Sequence, residues 1–199
     1  MVKTKTAIGS IQSINIPENF IISKERYGDM AASWLLCYSP VEDEQIEIGF
    51  LYRGKALYVD DAKSFRKLIN QPSQVFFADD TSGAVFEKQK ELLDNLYFVF
   101  GDIGNNQITN DKKGLEGPRF FLERLETLSI NGRRVLSVKG WFHNIQLTPQ
   151  NYYYGLMFDR NRLSDQCHLE ELYFQAHSQI QYDKYFFEFT NCLKTIIWA

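Results

Sequence analysis

Residues 119–142, RFFLERLETLSINGRRVLSVKGWF, hold two runs of alternating apolar and polar residues, Arg119 to Ile130 and Arg133 to Phe142, on either side of Asn131-Gly132. Asn-Gly is the dipeptide that a two-residue type I′ turn requires, because both central residues take positive φ. The stretch therefore predicts a β-hairpin. Fixing the turn fixes the register. One face then pairs Ile130 with Arg133, Leu128 with Val135, Glu126 with Ser137, Arg124 with Lys139, and Leu122 with Trp141. The other pairs Thr127 with Leu136, Leu125 with Val138, and Phe121 with Phe142. The second set is expected to face the core, since the first carries Glu126, Arg124 and Lys139 at its centre.

Downstream, Tyr152 to Asp159 and His168 to Ala176 read as two more strands, with a turn over Asn161 to Asp165. From about Gln181 to Ile197, apolar residues recur at Tyr182, Phe186, Phe189, Leu193, Ile196 and Ile197, while Gln181, Lys184, Glu188, Asn191 and Lys194 occupy the other face. That spacing predicts a closing amphipathic helix. Upstream, Ala32 to Tyr38 and Gln45 to Tyr52 flank the acidic turn VEDE and read as a hairpin, and the segment around Pro17 reads as an edge strand or an extended lead-in. Asp60-Asp61 offers an N-cap to a helix through Phe65, Leu68 and Ile69, and a second helix is expected after Thr81-Ser82, through Val85 to Leu96. Gly101 to Pro118 is rich in Gly, Asn and Asp and has no period of either kind, so it reads as a long loop. Strands and helices do not alternate as βαβ units. The expected fold is α+β in one domain: an antiparallel sheet of about five to six strands covered by helices.

Composition narrows the function classes. The 199 residues are 44% hydrophobic and 15% aromatic, with 16 Phe, 11 Tyr and 3 Trp. Folding a chain of this size buries roughly 70% of the surface the unfolded chain exposes, enough for one core without staples. The formal charge of −3 offers no basic surface for a phosphate backbone, so nucleic acid is not an expected partner. Cys37, Cys167 and Cys192 are odd in number and form no C-x-x-C pair, which points to a reducing compartment. No run reads as a signal-peptide core or a membrane span, so the expected location is cytoplasmic, with no membrane partner.

No motif announces chemistry. His143, His168 and His177 lack the spacing of a helical metal pair, and Cys167-His168 on a strand would point to opposite faces. The oxygen donors of the long loop, Asp102, Asn105, Asn106, Asn110 and Asp111, lack an EF-hand pattern. No G-x-S-x-G occurs. Neither cofactor nor metal is expected. What remains is surface: Trp141 and Leu122 as a cross-strand pair, with Phe120 and His143 adjacent and Arg124 and Lys139 beside them, is the composition of a protein contact site. Tyr153, within a run of three tyrosines, joins it. The acidic turn Glu42, Asp43, Glu44 offers a second landing site, for a basic partner.

Two resemblances follow. GRRVLSVKGWFHN, YYYGLMFD and LEELYFQAHSQIQYDKYFFEFTNCLKTIIW together resemble the closing meander and helix of PsbP-like and DcrB-like α/β/α sandwich proteins, which implies a non-enzymatic binding or assembly factor. The whole chain, small, acidic and aromatic-rich, resembles the immunity proteins of bacterial type VI secretion toxins. That implies a cytoplasmic protein whose partner is a cognate toxin effector. The competing expectation is a small-ligand binder or enzyme with a pocket between sheet and helices.

Overall fold

The predicted hairpin turn is present in the computed structural model, with Asn131 at φ 48° and Gly132 at φ 82°. The structure describes residues 2–4, 8–27, 33–57, 59–73, 75–77, 107–109, 119–143, 151–160 and 167–199. In chain order these form β1 (Val2–Thr4), β2 (Ile11–Ile16), β3 (Phe20–Tyr27), β4 (Ser33–Pro40), β5 (Ile46–Leu57), α1 (Val59–Ile69), β6 (Val75–Phe77), β7 (Gln107–Thr109), β8 (Arg119–Ile130), β9 (Arg133–His143), β10 (Asn151–Asp159), β11 (Cys167–Ala176), α2 (Gln179–Leu193) and β12 (Ile197–Trp198). The main sheet runs β3-β4-β5-β11-β10-β9-β8-β6, with β7 also on β8, and β1-β2-β12 form a small second sheet. Among the described residues, all strand pairings are antiparallel except β7 with β8.

The α+β class and the antiparallel sheet agree with the sequence pattern, but nine strands in the main sheet exceed the expected five to six. The additional strands lack the signal of alternation. β6 and β7 have three residues each, and β3 is an edge strand exposed along seven of its eight residues, so neither face imposes a period. The helix expected after Thr81-Ser82 and the turn at Asn161 to Asp165 lie outside the described residues. Of the presumed loop Gly101 to Pro118, Gln107–Thr109 is a strand and the rest lies outside them.

The hairpin register holds from Ile130↔Arg133 to Arg124↔Lys139 and then shifts by one residue between Leu122 and Arg124. A β-bulge at Glu123 brings Phe121, not Leu122, opposite Trp141, and Phe120, not Phe121, opposite Phe142. The step of three from Leu122 to Leu125 is the place where the two-residue alternation breaks.

Each face of the main sheet has its own core. Beneath α1 lie Leu125, Leu136, Val138 and Phe142 with Phe65 and Leu68 of the helix, the face expected to be inward. The opposite face is not open to solvent near the turn: Ile130, Val135 and Ser137 are buried there, among Phe50, Phe158 and Phe174 and beneath α2 and the small sheet. α2 starts at the cap Ser178, whose Oγ accepts from Gln181 N at 3.2 Å. It ends at Leu193, four residues before the predicted Ile197, because the chain turns to set β12 on β2. Ile196 stays buried while Ile197 is exposed.

Asn131 ties this end of the molecule together. Its Nδ2 donates to the carbonyls of Ile196 at 2.7 Å and Lys194 at 3.2 Å, just past α2, where carbonyls lack helical partners. Asn131→Ala is expected to cost about 2 kcal/mol, combining a left-handed backbone on a residue with Cβ and the lost hydrogen bonds. Asn131→Gly, which keeps the turn and loses only the amide, should recover about half in a urea melt. Equal loss in both variants would remove the backbone contribution.

Candidate functional site

Alternation along β9 places Lys139 and Trp141 on the α2 side of the sheet, and β10 sets Tyr154 and Tyr152 directly opposite them. Trp141 and Tyr152 are half-buried, with ring centroids 6.5 Å apart. Tyr152 lies 6.1 Å from Tyr182 of α2, which stacks on Phe186 at 4.8 Å. A continuous aromatic path thus runs from the outer flank of β9 to the helix. α2 covers the strands toward β11 fully and leaves this flank half open.

Charged side chains border the aromatics. Lys139 Nζ stands 2.7 Å from Glu123 Oε1 and 5.9 Å from the centroid of the Tyr182 ring. Arg124 Nη2 stands 2.8 Å from Glu126 Oε2. These side chains are 25–42% exposed, so each pair adds at most about 1 kcal/mol to stability. Their effect is to hold the cations in place around Trp141. The bulge at Glu123 is what sets that carboxylate beside Lys139.

Of the residues singled out from sequence, Trp141, Arg124 and Lys139 meet in this patch. Phe120, Leu122 and His143 occupy the adjoining ends of β8 and β9, with side chains outside the described set. Tyr153 does not belong to the surface. It is fully buried on the α1 side, edge-on to Phe142 at 5.6 Å and stacked on Tyr173 at 5.7 Å, with its hydroxyl donating to Glu171. Within the tyrosine run the period of two sends Tyr152 and Tyr154 to the α2 side and Tyr153 to the other. Tyr152 is the residue the sequence reading missed; only its pairing with Trp141 distinguishes it.

The acidic turn is fastened to α2 rather than presented freely. Asp43 Oδ2 accepts from Gln181 Nε2 at 2.9 Å, and Glu42 Oε1 accepts from the Tyr185 hydroxyl at 3.1 Å. Glu42 and Glu44 are exposed, but the turn enters β5, three places from β9 in the sheet order.

The three cysteines are held as thiols. All three cysteines are free and buried, and desolvation pushes the thiols of Cys37 and Cys192 up to about 12 and that of Cys167 higher still. Cys167 packs in the α1-side core, whereas His168 hydrogen-bonds the Tyr52 hydroxyl through Nδ1 at 2.7 Å. Among the described residues no group of three or more His, Cys, Asp or Glu could hold a metal ion, and no helix is long and apolar enough to cross a membrane.

Glu170 is the clearest perturbed acid. Burial raises its pKa, and the Ser10 N–H at 2.8 Å and Arg160 offset this only in part. A carboxyl that binds its proton more tightly when folded loses stability as pH rises from the ordinary value of 4.5 through its own raised value. Glu170→Gln lacks that loss, so its stability relative to wild type should climb through that window. Urea melts at a series of pH values test this; a difference that stays flat contradicts it.

The fold and this surface define an α+β protein with a large antiparallel sheet covered on both faces and an aromatic, charge-bordered flank beside its last helix. No protein-family model matches the chain, and no curated protein matches it.

Proposed function

We propose that the protein is a non-enzymatic protein-binding module and that the half-open flank of β9 and β10 is its contact surface. The observation that carries this reading is the cluster of Trp141 and Tyr152 within a border of Arg124, Glu126, Lys139 and Glu123. Trp, Tyr and Arg in a desolvatable centre with a charged rim are the residues on which binding energy concentrates.

In its concrete form, the module is a cytoplasmic immunity protein that binds a cognate toxin effector and neutralises it. This follows the resemblance in size, acidity and aromatic content. Affinity capture from the native cell with mass spectrometry identifies the partner, and titration of the purified pair measures the contact. Trp141→Ala should weaken the complex by about 2 kcal/mol, roughly thirtyfold, with folding unchanged. Wild-type affinity in that variant would rule out this surface. Co-expression with the captured partner tests the immunity reading: wild type restores growth and Trp141→Ala does so poorly. A partner that is harmless to cells, such as a subunit of an assembly, would overturn the immunity reading while leaving the binding surface intact.

A further inference from the structure

Tyr182 stands in the first turn of α2, where the helix meets the flank of β9 and β10. Its ring stacks on Phe186 at 4.8 Å, lies 5.4 Å from Phe174 and reaches Tyr152 at 6.1 Å. The residue is 4% exposed. Its hydroxyl is buried with it and has no hydrogen-bond partner among the described residues. A buried hydroxyl left unpaired forfeits the bonds it made to water, so folded proteins keep very few of them. Phenylalanine at this position would fill the same space without that cost, so the hydroxyl points to a use beyond the folding of the chain.

The charged groups nearest the hydroxyl are engaged elsewhere. Glu123 accepts from Lys139 Nζ at 2.7 Å rather than from the tyrosine. Lys139 in turn holds its ammonium over the Tyr182 ring, 5.9 Å from the centroid. Asp183, the next residue along α2, is exposed and accepts from Gln179 Nε2 at 2.7 Å. Burial holds the pKa of Tyr182 far above the ordinary tyrosine value, and Tyr154, Glu123 and Asp183 raise it further. The hydroxyl is therefore a donor near neutral pH, and what it lacks is an acceptor.

Lys139 is the part of the cover able to move. Its side chain is 34% exposed, and its ion pair with Glu123, which is 42% exposed, is a weak surface tie. The Tyr182 ring beneath it is locked into the core under α2. With Lys139 paired to Glu123 and Arg124 to Glu126 at 2.8 Å, the border adds no net charge. A charged group entering this flank would lose its water and meet no counter-charge in exchange, whereas a neutral acceptor carries no such cost. On the reading of this flank as the protein-contact surface, we propose that Lys139 swings aside when the partner docks and that the Tyr182 hydroxyl then donates a hydrogen bond to an uncharged main-chain carbonyl of the partner protein.

Tyr182→Phe removes the hydroxyl and keeps the ring. In the protein alone its urea midpoint should rise above that of wild type, because the change removes an unsatisfied donor and no hydrogen bond. Lys139→Ala lets water reach the hydroxyl, so in that background the same substitution should bring no rise. A midpoint that stays level or falls for Tyr182→Phe, or a rise of the same size in the Lys139→Ala background, overturns the proposal. Titration against the protein identified by affinity capture gives the opposite sign: Tyr182→Phe, although more stable, should bind at least about fivefold more weakly than wild type. That difference should persist as sodium chloride is raised; a difference that salt abolishes would mean a charged acceptor and overturn the carbonyl. Wild-type affinity in Tyr182→Phe together with weakened binding in Trp141→Ala would overturn the donated hydrogen bond and leave the contact surface standing. Wild-type affinity in both variants would remove the surface and the hydrogen bond together.

Discussion

Phe174→Ala is expected to destabilise the protein by about 3–5 kcal/mol, the usual loss when a buried phenyl ring is replaced by a methyl group. Phe174 is fully buried at the centre of the α2-side core. Its ring centroid lies 5.4 Å from Tyr182, 5.9 Å from Phe186 and 5.5 Å from Phe189. Those three residues are how α2 attaches to the sheet, so the cavity would open under the helix that carries the rest of the aromatic path. For a chain of this length the loss corresponds to a fall in melting temperature of roughly 6–20 °C. Phe187, the next ring along α2 from Phe186, is 68% exposed; its replacement by Ala should change stability by no more than about 0.5 kcal/mol. Urea melts of both variants provide the measurement. A loss under about 1.5 kcal/mol for Phe174→Ala would mean that α2 is not anchored through this ring.

The other large effect concerns the α1-side core. Tyr173 is opposite Gly49 in the β11–β5 ladder, and its ring lies across the glycine so closely that a Cβ there would overlap the ring at Cζ. The Tyr173 hydroxyl donates to Glu47 and stands 3.6 Å from Cys37 Sγ. Both the ring and its surroundings are buried, so no flexible side chain can give way. Gly49→Ala should therefore cost about 3 kcal/mol, combining overpacking with the loss of the tyrosine's hydrogen bond. The same contact explains the glycine in the middle of a strand, where it would otherwise weaken pairing. A double-mutant cycle isolates the clash: Gly49→Ala combined with Tyr173→Leu should lose clearly less than the two single changes summed. Strict additivity would show that the ring is not what excludes the methyl group.

Much of the hairpin was legible because its determinants are local. Asn131-Gly132 specifies the turn, and alternation on each side specifies the pairing as far as Arg124 and Lys139. The bulge at Glu123 was marked only by the step of three between Leu122 and Leu125, a signal that two strands with many alternating positions easily outweigh. The candidate surface was legible in the same measure. Trp141, Arg124 and Lys139 follow from the turn, whereas Tyr152 follows from a pairing between β9 and β10 that no local turn within the described residues fixes. Tyr153 shows the converse. Three consecutive tyrosines carry no phase of their own, so which one is buried depends on the strands on either side.

By itself, then, the sequence determined the class of fold, the turn at Asn131-Gly132, the two-residue phase of the long strands and the end of α1 at Ile69, whereas its start lies at Val59, which puts Asp60 and Asp61 inside the first turn instead of at the cap. It could do so because turn chemistry and side-chain periodicity act within a few residues along the chain. Only the tertiary structure decided that both faces of the sheet are covered, that α2 stops at Leu193 so that β12 can join β2, and that Tyr182 of α2 comes to lie beneath Lys139 of β9. These depend on segments far apart in the chain, β2 and β12 above all, being packed together. A segment's own residues state which of its faces is apolar, but not what arrives to bury it.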